Sequence, residues 1–204
     1  MSFNIQTYSL FPTNIVRTDF KDFITPQDHQ EMMDSVDMLI ENGVYTDNDL
    51  TPKYQTSVVL FQDNAPPIWQ KLKSTFYQAC ENYLKATPDF TGQQNNLAFT
   101  HSGAWCYKGW RSLNNNQSNP WHHHNPAFLS GVYYLKVPGD GSSGGTEFHD
   151  PRTAPALGTR FQSIPPQEYT WAIFPGWLSH KSNFVDTDEA RYVIAANMYV
   201  KVDT

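Results

Sequence analysis

The sequence of 204 residues has little cysteine, no cluster of positive charge and no long apolar run. Its two cysteines, Cys80 and Cys106, are too few for a disulfide scaffold, so we expect a cytoplasmic protein (in the host cytoplasm if a phage encodes it). The net charge of -6 and the absence of a Lys/Arg cluster disfavour a nucleic-acid partner. No run reaches the about 18 apolar residues of a membrane span, and the N-terminus lacks a secretory signal pattern. Nucleic-acid and membrane partners are therefore not expected.

The composition that is present, 39% hydrophobic and 15% aromatic, is typical of a globular protein of one domain spanning 1–204. Thr25 and Pro26 suit the start of a helix, and apolar residues recur at helical spacing up to Gly43. A second helix is predicted from about Pro66 to Lys85. Residues 1–96 are thus predicted to be a support built from helices and a strand.

Short β-rich runs bounded by Gly, Pro or Asn fill residues 97–204. They are "LAFTHSGAWCY", "AFLSGVYYLKV", "GTEFHD", "YTWAIFP" and "RYVIAANMYVKV", and an earlier run, "YQTSVVLF", also predicts a strand. The expected fold class is α+β, mainly β, with two N-terminal helices laid against an antiparallel β-sandwich or barrel.

Three consecutive histidines stand in "WHHHNP", residues 121–126. If this segment is extended, His122 and His124 share one face and His123 points away, so that the pair can hold one metal ion. His180, in "FPGWLSH", is the best third ligand. Arg191 begins an apolar strand and needs a carboxylate partner, because a buried unpaired charge is costly.

These residues stand in an order that resembles the Fe(II)/2-oxoglutarate-dependent oxygenases of the prolyl-hydroxylase-like branch. The landmarks are "HHH" before Pro126, "SGVYY", "FHDPR", "FPGWLSH" and Arg191. The similarity covers roughly residues 104–200 and is stronger still to an uncharacterised bacterial and phage group. It implies a double-stranded β-helix, or jelly-roll, core in 97–204, with Fe(II), 2-oxoglutarate and O2 as cofactor and cosubstrates.

The resemblance also implies roles for individual residues. His122 and His180 would ligate the iron, and Arg191 would bind the far carboxylate of 2-oxoglutarate with help from the hydroxyl of Tyr134. Tyr107 would line the same pocket. The reaction would hydroxylate an unknown substrate, which could be a peptidyl or free amino acid such as proline, so that partners are a small-molecule cosubstrate and a peptide or protein. The chain could also act as a homodimer.

The chain departs from the family pattern at His124, where the family has an aspartate. Three alternatives follow: His124 is the third ligand, or Asp150 or Glu147 takes that place with His124 beside the ligands, or the site has lost its iron chemistry and only binds. The matching alternative functions are a three-histidine, cupin-like enzyme that does not use 2-oxoglutarate and a non-catalytic jelly-roll binding module.

Three further residues are candidates for a substrate pocket, namely Trp121, Trp177 and His149. His29 lies in the charged part of the first helix, and we expect it to face solvent.

Overall fold

The computed structural model describes residues 12–47, 53–87, 97–110, 120–152, 161–183 and 185–202. This part contains two helices, α1 (Pro26–Glu41) and α2 (Pro67–Ala86). Its strands are β1 (Val16–Asp19), β2 (Tyr45–Asp47), β3 (Lys53–Thr56), β4 (Leu97–Gly109), β5 (Leu129–Lys136), β6 (Thr146–His149), β7 (Phe161–Ile164), β8 (Thr170–Pro175), β9 (His180–Ser182) and β10 (Arg191–Val202). Within these residues, no helix is both long and apolar enough to cross a membrane.

Helix α1 begins where the sequence predicts. The Thr25 side chain accepts a hydrogen bond from the Asp28 backbone N–H at 3.1 Å, and the Asp28 carboxylate accepts one from the Thr25 N–H at 2.7 Å. This reciprocal pair satisfies two amides that the first helical turn leaves unbonded. The helix ends at Glu41, and Gly43 follows with a φ of 72°, which suits glycine.

The strands form two antiparallel sheets. The large sheet has the order β1-β8-β5-β10-β4-β3-β2, and the small sheet has the order β7-β6-β9. The five runs predicted within 97–204 all contain strands, whereas in "YQTSVVLF" the strand ends at Thr56 and the chain then turns. The strands β1, β2, β7 and β9 were not predicted, because three or four residues are too few for a periodic pattern.

One face of the large sheet, here called the helix face, packs against α1 and α2. It presents Cys106, Tyr133, Trp171 and Ile194, all of them buried. A Cβ at Gly131 would lie 2.7 Å from Ile173 and 2.8 Å from Phe76 of α2, so the helix packs closely where the strand has no side chain.

The opposite face, here called the inner face, packs against the small sheet. A second apolar cluster lies between the sheets, made of Val132, Tyr134, Phe148, Phe174, Leu178 and Val193. Because successive side chains of a strand point to opposite faces, neighbouring residues such as Tyr133 and Tyr134 belong to different cores. The candidate site lies at the edge of the inner cluster.

Candidate active site

The segment 121–126 lies antiparallel beside β9. The backbone N–H of His122 donates to the carbonyl of His180 at 3.1 Å, and the N–H of His180 donates back at 2.9 Å. The N–H of His124 donates to the carbonyl of Gly176 at 2.8 Å. His123 is exposed, while His122 and His124 are half-buried. His122 and His124 therefore come to one side, as the alternation argument predicts.

The structure brings the imidazoles of His122, His124 and His180 together. Their ring centroids are 4.5 Å (His122–His180), 5.0 Å (His124–His180) and 5.1 Å (His122–His124) apart, and one nitrogen from each lies within 4.8 Å of the others. Two nitrogens bound about 2.1 Å from one ion are at most about 4.2 Å apart, so small ring rotations suffice to hold a metal between them.

Two of the three rings are oriented by the backbone. The Nδ1 of His122 lies 2.8 Å from the carbonyl oxygen of Pro120, and the Nδ1 of His180 lies 2.8 Å from that of Leu178. A carbonyl only accepts, so each Nδ1 carries the proton and each Nε2 is the unprotonated nitrogen. A histidine that binds a metal ion through its Nε2 requires this tautomer.

The protonation state of the cluster also suits a metal. Burial, with a smaller contribution from the neighbouring histidines, lowers the pKa of His180 to about 3 and that of His124 to about 4. Neutral imidazoles bind metal ions, whereas imidazolium does not.

Neither candidate carboxylate joins the histidines. Glu147 lies on the face of β6 opposite to Phe148, and its Oε2 is 3.0 Å from the Nζ of Lys181. Asp150 pairs with Arg152, whose Nε is 2.8 Å from Oδ1, and this cation lowers the pKa of Asp150 to about 2. In the described ranges, the three histidines are the only group of three His, Cys, Asp or Glu side chains close enough to share an ion. The third side chain beside His122 and His180 is therefore His124, and neither carboxylate lies there.

Arg191 is a buried cation whose hydrogen-bonding groups are only partly satisfied by the described residues. Among the residues the structure describes, its Nε and Nη2 have no hydrogen-bond partner, although its guanidinium carbon lies 5.9 Å from the centre of the Tyr134 ring. Burial lowers its pKa, but an arginine stays charged in a protein. A Cβ at Gly144, where φ is 78°, would lie 3.0 Å from the Cδ of Arg191, so glycine leaves room for the side chain. A bound carboxylate would satisfy the two unpaired N–H groups.

Two tyrosines share the inner face with Arg191. Val193 pairs with Tyr107 on one side and with Tyr134 on the other, which aligns the three side chains across the sheet. The hydroxyl of Tyr134 lies 2.7 Å from the Thr146 Oγ1. Burial raises the pKa of both tyrosines, so each is protonated and able to donate at neutral pH.

A polar pair near the histidines was not predicted from the sequence. Ser130 donates to the Asn197 Oδ1 at 2.8 Å, and both residues are buried on the inner face. Ser130 pairs across the sheet with Phe174, whose ring centre is 4.7 Å from that of His180. A single polar residue at an inward position of the apolar run "VIAANMYV" is the signal that could have indicated Asn197.

The three residues predicted to line a substrate pocket have no described contact with the three histidines. Trp121 and His149 contact each other at 5.5 Å between ring centres, and strand alternation directs them away from the face that carries His180. Trp177 is exposed in the turn after β8. None of the three is thus placed with the histidines by the contacts described.

The expectation that His29 faces solvent is wrong. His29 is buried, its Nε2 lies 2.8 Å from the hydroxyl of Tyr133, and its ring stacks on Tyr169 at 3.9 Å. The reason is its place on the helix: His29 continues the buried stripe of Met32 and Val36, spaced three and four residues apart.

Comparison with protein families finds one match, over the part of the chain that carries the candidate site. Residues 108–197 match the model of a family described as "Putative 2OG-Fe(II) oxygenase", and this span contains the three histidines and Arg191. Over this span the chain is similar to the 2-oxoglutarate- and Fe(II)-dependent oxygenases, which is the resemblance expected from the sequence motifs. No curated protein sequence matches the chain.

Solved structures with the same fold confirm the jelly-roll class. A Trichoplax adhaerens prolyl hydroxylase, solved with a hypoxia inducible factor peptide fragment, is 14% identical with a TM-score of 0.63, covering 91% of this chain and 83% of that one. The Arabidopsis thaliana dioxygenase for auxin oxidation 1, in complex with 2-oxoglutarate, is 17% identical with a TM-score of 0.63, covering 93% and 84%. HygX from Streptomyces hygroscopicus, with nickel and 2-oxoglutarate bound, is 9% identical with a TM-score of 0.61, covering 92% and 83%.

Proposed function

We propose that the protein is an Fe(II)- and 2-oxoglutarate-dependent dioxygenase whose iron is held by His122, His124 and His180. The observation that carries this proposal is the pairing of two features between the same sheets. One is the cluster of three imidazoles, and the other is the buried guanidinium of Arg191 with two unpaired nitrogens. The first fits a metal ion, and the second fits the distal carboxylate of a dicarboxylic acid.

The donor set fits both cofactors. Iron with 2-oxoglutarate supplies the oxidising chemistry, in which O2 is reduced, the keto acid loses CO2 to give succinate, and a substrate C–H bond is hydroxylated. The protein's own part is to orient these groups. Arg191 would donate to the distal carboxylate, the Tyr134 hydroxyl would donate beside it, and the rings of Phe148 and Phe174 cover His180 against water.

The charge balance of the site supports the use of a dianion. Three neutral imidazoles leave the full 2+ charge of the iron, and Arg191 adds one more positive charge in a buried position. 2-Oxoglutarate carries two negative charges and offsets most of this. The third ligand of the family, a carboxylate, would have supplied part of the balance.

For the primary substrate, we propose a peptidyl or free amino acid such as proline. The support is the likeness in fold to prolyl hydroxylases, including one from Pseudomonas putida (TM-score 0.57). A cytoplasmic setting is part of the same proposal and is supported by Cys80 and Cys106, which are both buried and free.

The experiment is anaerobic titration of the metal-free protein with Fe(II) and then 2-oxoglutarate, observing the weak visible charge-transfer band of an iron-chelated keto acid. We expect the band in the wild type, its loss in His122→Ala and His180→Ala, and a weaker band in Arg191→Ala. His123→Ala is the matched control, because this exposed histidine lies between two proposed ligands, and it should keep the band. A protein that binds no iron would refute the proposal and favour a binding module.

The third ligand is assigned by the same titration. His124→Ala should weaken the band, whereas Asp150→Ala and Glu147→Ala should leave it unchanged, because both carboxylates pair with cations away from the histidines. The reverse result would transfer the role to a carboxylate.

A three-histidine enzyme that does not use 2-oxoglutarate is the second candidate, favoured by His124 at the place of the family aspartate. Iron binding without any band, and a metal-dependent activity that survives Arg191→Ala, would establish it.

A further inference from the structure

A row of directly opposed side chains crosses the small sheet on the face away from the iron ligands. His122 pairs with His180, which places Trp121 opposite Lys181. Lys181 pairs with Glu147, and Glu147 pairs with Ser163. We call these four residues, Trp121, Lys181, Glu147 and Ser163, the outer ladder.

Each step of the outer ladder is a contact. The Nζ of Lys181 lies 4.9 Å from the centre of the Trp121 ring and 3.0 Å from the Glu147 Oε2. The Oγ of Ser163 lies 3.4 Å from the Glu147 Oε1 and donates to it. The side chains of Lys181 and Glu147 are only 24% and 11% exposed, so this ion pair is less weakened by solvent than a fully exposed one.

The proposed iron ligands form the other face of the same strands. His122 and His180 are opposed, and Phe148 is opposed to His180 in turn. A shift of one residue between the 121–126 segment and β9 would turn His122 to the outer face and Trp121 toward the iron. The described backbone bonds between this segment and its surroundings are few, chiefly those of His122 to His180 and of His124 to Gly176. The register therefore needs support from side chains.

We propose that Trp121 and Lys181 are positioning residues that fix this register and so hold His122 opposite His180 for the metal. The proposal rests on the proposed function, in which these histidines bind iron. It replaces the expected role of Trp121 in the substrate pocket. The length of the Lys181 side chain matters as well as its charge, because its Nζ contacts both the Trp121 ring and the Glu147 carboxylate.

The test measures Co(II) binding to the full chain, since the electronic spectrum of Co(II) reports both affinity and ligand geometry. We expect about tenfold weaker binding and a changed spectrum in Lys181→Met and Trp121→Ala, within the 10- to 100-fold range typical of residues that orient metal ligands. Lys181→Arg and Trp121→Phe should restore the wild-type spectrum, because they keep the cation and the ring. A merely structural role would not produce this rescue.

Two controls separate positioning from general damage. Lys85→Met removes an exposed lysine that pairs with Glu81, and Phe23→Ala removes an exposed ring that lies 5.3 Å from the Nζ of Lys71. Both should bind Co(II) like the wild type. Wild-type affinity and spectrum in Lys181→Met and Trp121→Ala would overturn the proposal, as would equal losses in the controls.

Failure of the proposed function would look different. In that case His122→Ala and His180→Ala would bind Co(II) as the wild type does, or the wild type would bind none. If the histidine variants lose Co(II) while the ladder variants do not, the iron site stands and the outer ladder has no part in it.

Discussion

The two faces of the large sheet are built from the same strands and differ in what their side chains do. On the helix face, Cys106 and Tyr133 are buried in an apolar core against α1 and α2. On the inner face, their sequence neighbours Tyr107 and Tyr134 line the region of Arg191. Neighbouring residues of one strand thus have different surroundings, the first in the apolar core and the second near Arg191.

The difference has a cost in stability on the inner face. The helix-face apolar residues are buried against one another, whereas Arg191 is a buried cation with two unpaired nitrogens in the described structure. Burying a charge with unpaired N–H groups is unfavourable, and so is burying a polar imidazole with an unsatisfied nitrogen. The comparison therefore predicts that changes in the helix-face core reduce stability and spare ligand binding, while a change at Arg191 of the inner face does the opposite.

The largest expected effect is on the helix face, at Phe76. Its ring is fully buried, 4.8 Å from the ring centre of Trp171 and 5.8 Å from that of Phe61. Phe76→Ala should lower the free energy of unfolding by about 3–5 kcal/mol, because it removes apolar contact and leaves a cavity. Denaturant unfolding measures this, and titration of the folded protein should show 2-oxoglutarate affinity unchanged.

The control for this prediction is Phe161→Ala. Phe161 is 46% exposed, so its loss should change stability by no more than about 0.5 kcal/mol. A loss of 2-oxoglutarate affinity in folded Phe76→Ala would mean that the two faces are not independent.

The second prediction concerns Arg191 on the inner face. Arg191→Met should weaken 2-oxoglutarate binding by about 100-fold, since two charge-assisted hydrogen bonds are lost. Without 2-oxoglutarate, the same variant should be as stable as the wild type or more stable, because it removes an unpaired buried charge. Calorimetry and thermal unfolding measure the two quantities.

Arg17→Met is the matched change at an exposed arginine, which donates to the carbonyl of Pro165 at 3.1 Å, and neither quantity should move. A clear loss of stability in Arg191→Met would show that the guanidinium has a structural partner, and the contrast between the faces would weaken.

The sequence predicts well where local chemistry decides the structure. Thr25 and Pro26 set the start of α1, and the long β10 follows a mostly apolar run. The histidines and Arg191 could be found from type and spacing, because metal and carboxylate binding restrict which residues can serve.

The sequence predicts poorly where partners distant in the chain decide. The outer-face position of Trp121 depends on its pairing beside β9, a strand of three residues that has no periodic signal. The partners that the buried His29 contacts, Tyr133 and Tyr169, lie more than a hundred residues away along the chain. Such contacts follow from the assembled sheets and are not written in the local pattern.

The third prediction concerns the pH dependence of stability at His29, which is buried beside Tyr133 of the helix face. Burial lowers the pKa of His29 to about 4 from an ordinary 6.5, opposed by the negative charge of Asp28, while the neutral hydroxyls of Tyr133 and Tyr169 are its other neighbours. The unfolded chain binds the proton more readily, so stability is complete above about pH 6.5 and falls as the pH drops toward 4. We expect His29 to contribute a loss of about 3 kcal/mol by pH 4.

Urea unfolding at a series of pH values checks this. His29→Gln should make the dependence in this window shallower by the contribution of His29, while the lowered pKa values of His124 and His180 maintain the rest. His101→Gln, at an exposed histidine stacked on Tyr199, should retain the full wild-type dependence. A wild-type slope in His29→Gln would assign the acid sensitivity to other groups.

The smallest predicted effect tests the charge of the inner face directly. His124→Asp would place a negative ligand where the structure has a neutral imidazole. Without 2-oxoglutarate, Fe(II) affinity should rise about tenfold, since the carboxylate offsets part of the metal charge near Arg191. By linkage, the factor by which Fe(II) and 2-oxoglutarate strengthen each other's binding should fall. Anaerobic titration in both orders measures that factor.

His123→Asp provides the same charge change at an exposed neighbour and should alter either affinity by less than about twofold, because exposed charges are screened. His124→Glu extends the carboxylate toward the reach of the imidazole and guards against a geometric failure of the shorter aspartate. If both carboxylate variants leave the coupling at its wild-type value, the excess positive charge does not govern the site. The inner face would then differ from the helix face in its geometry alone.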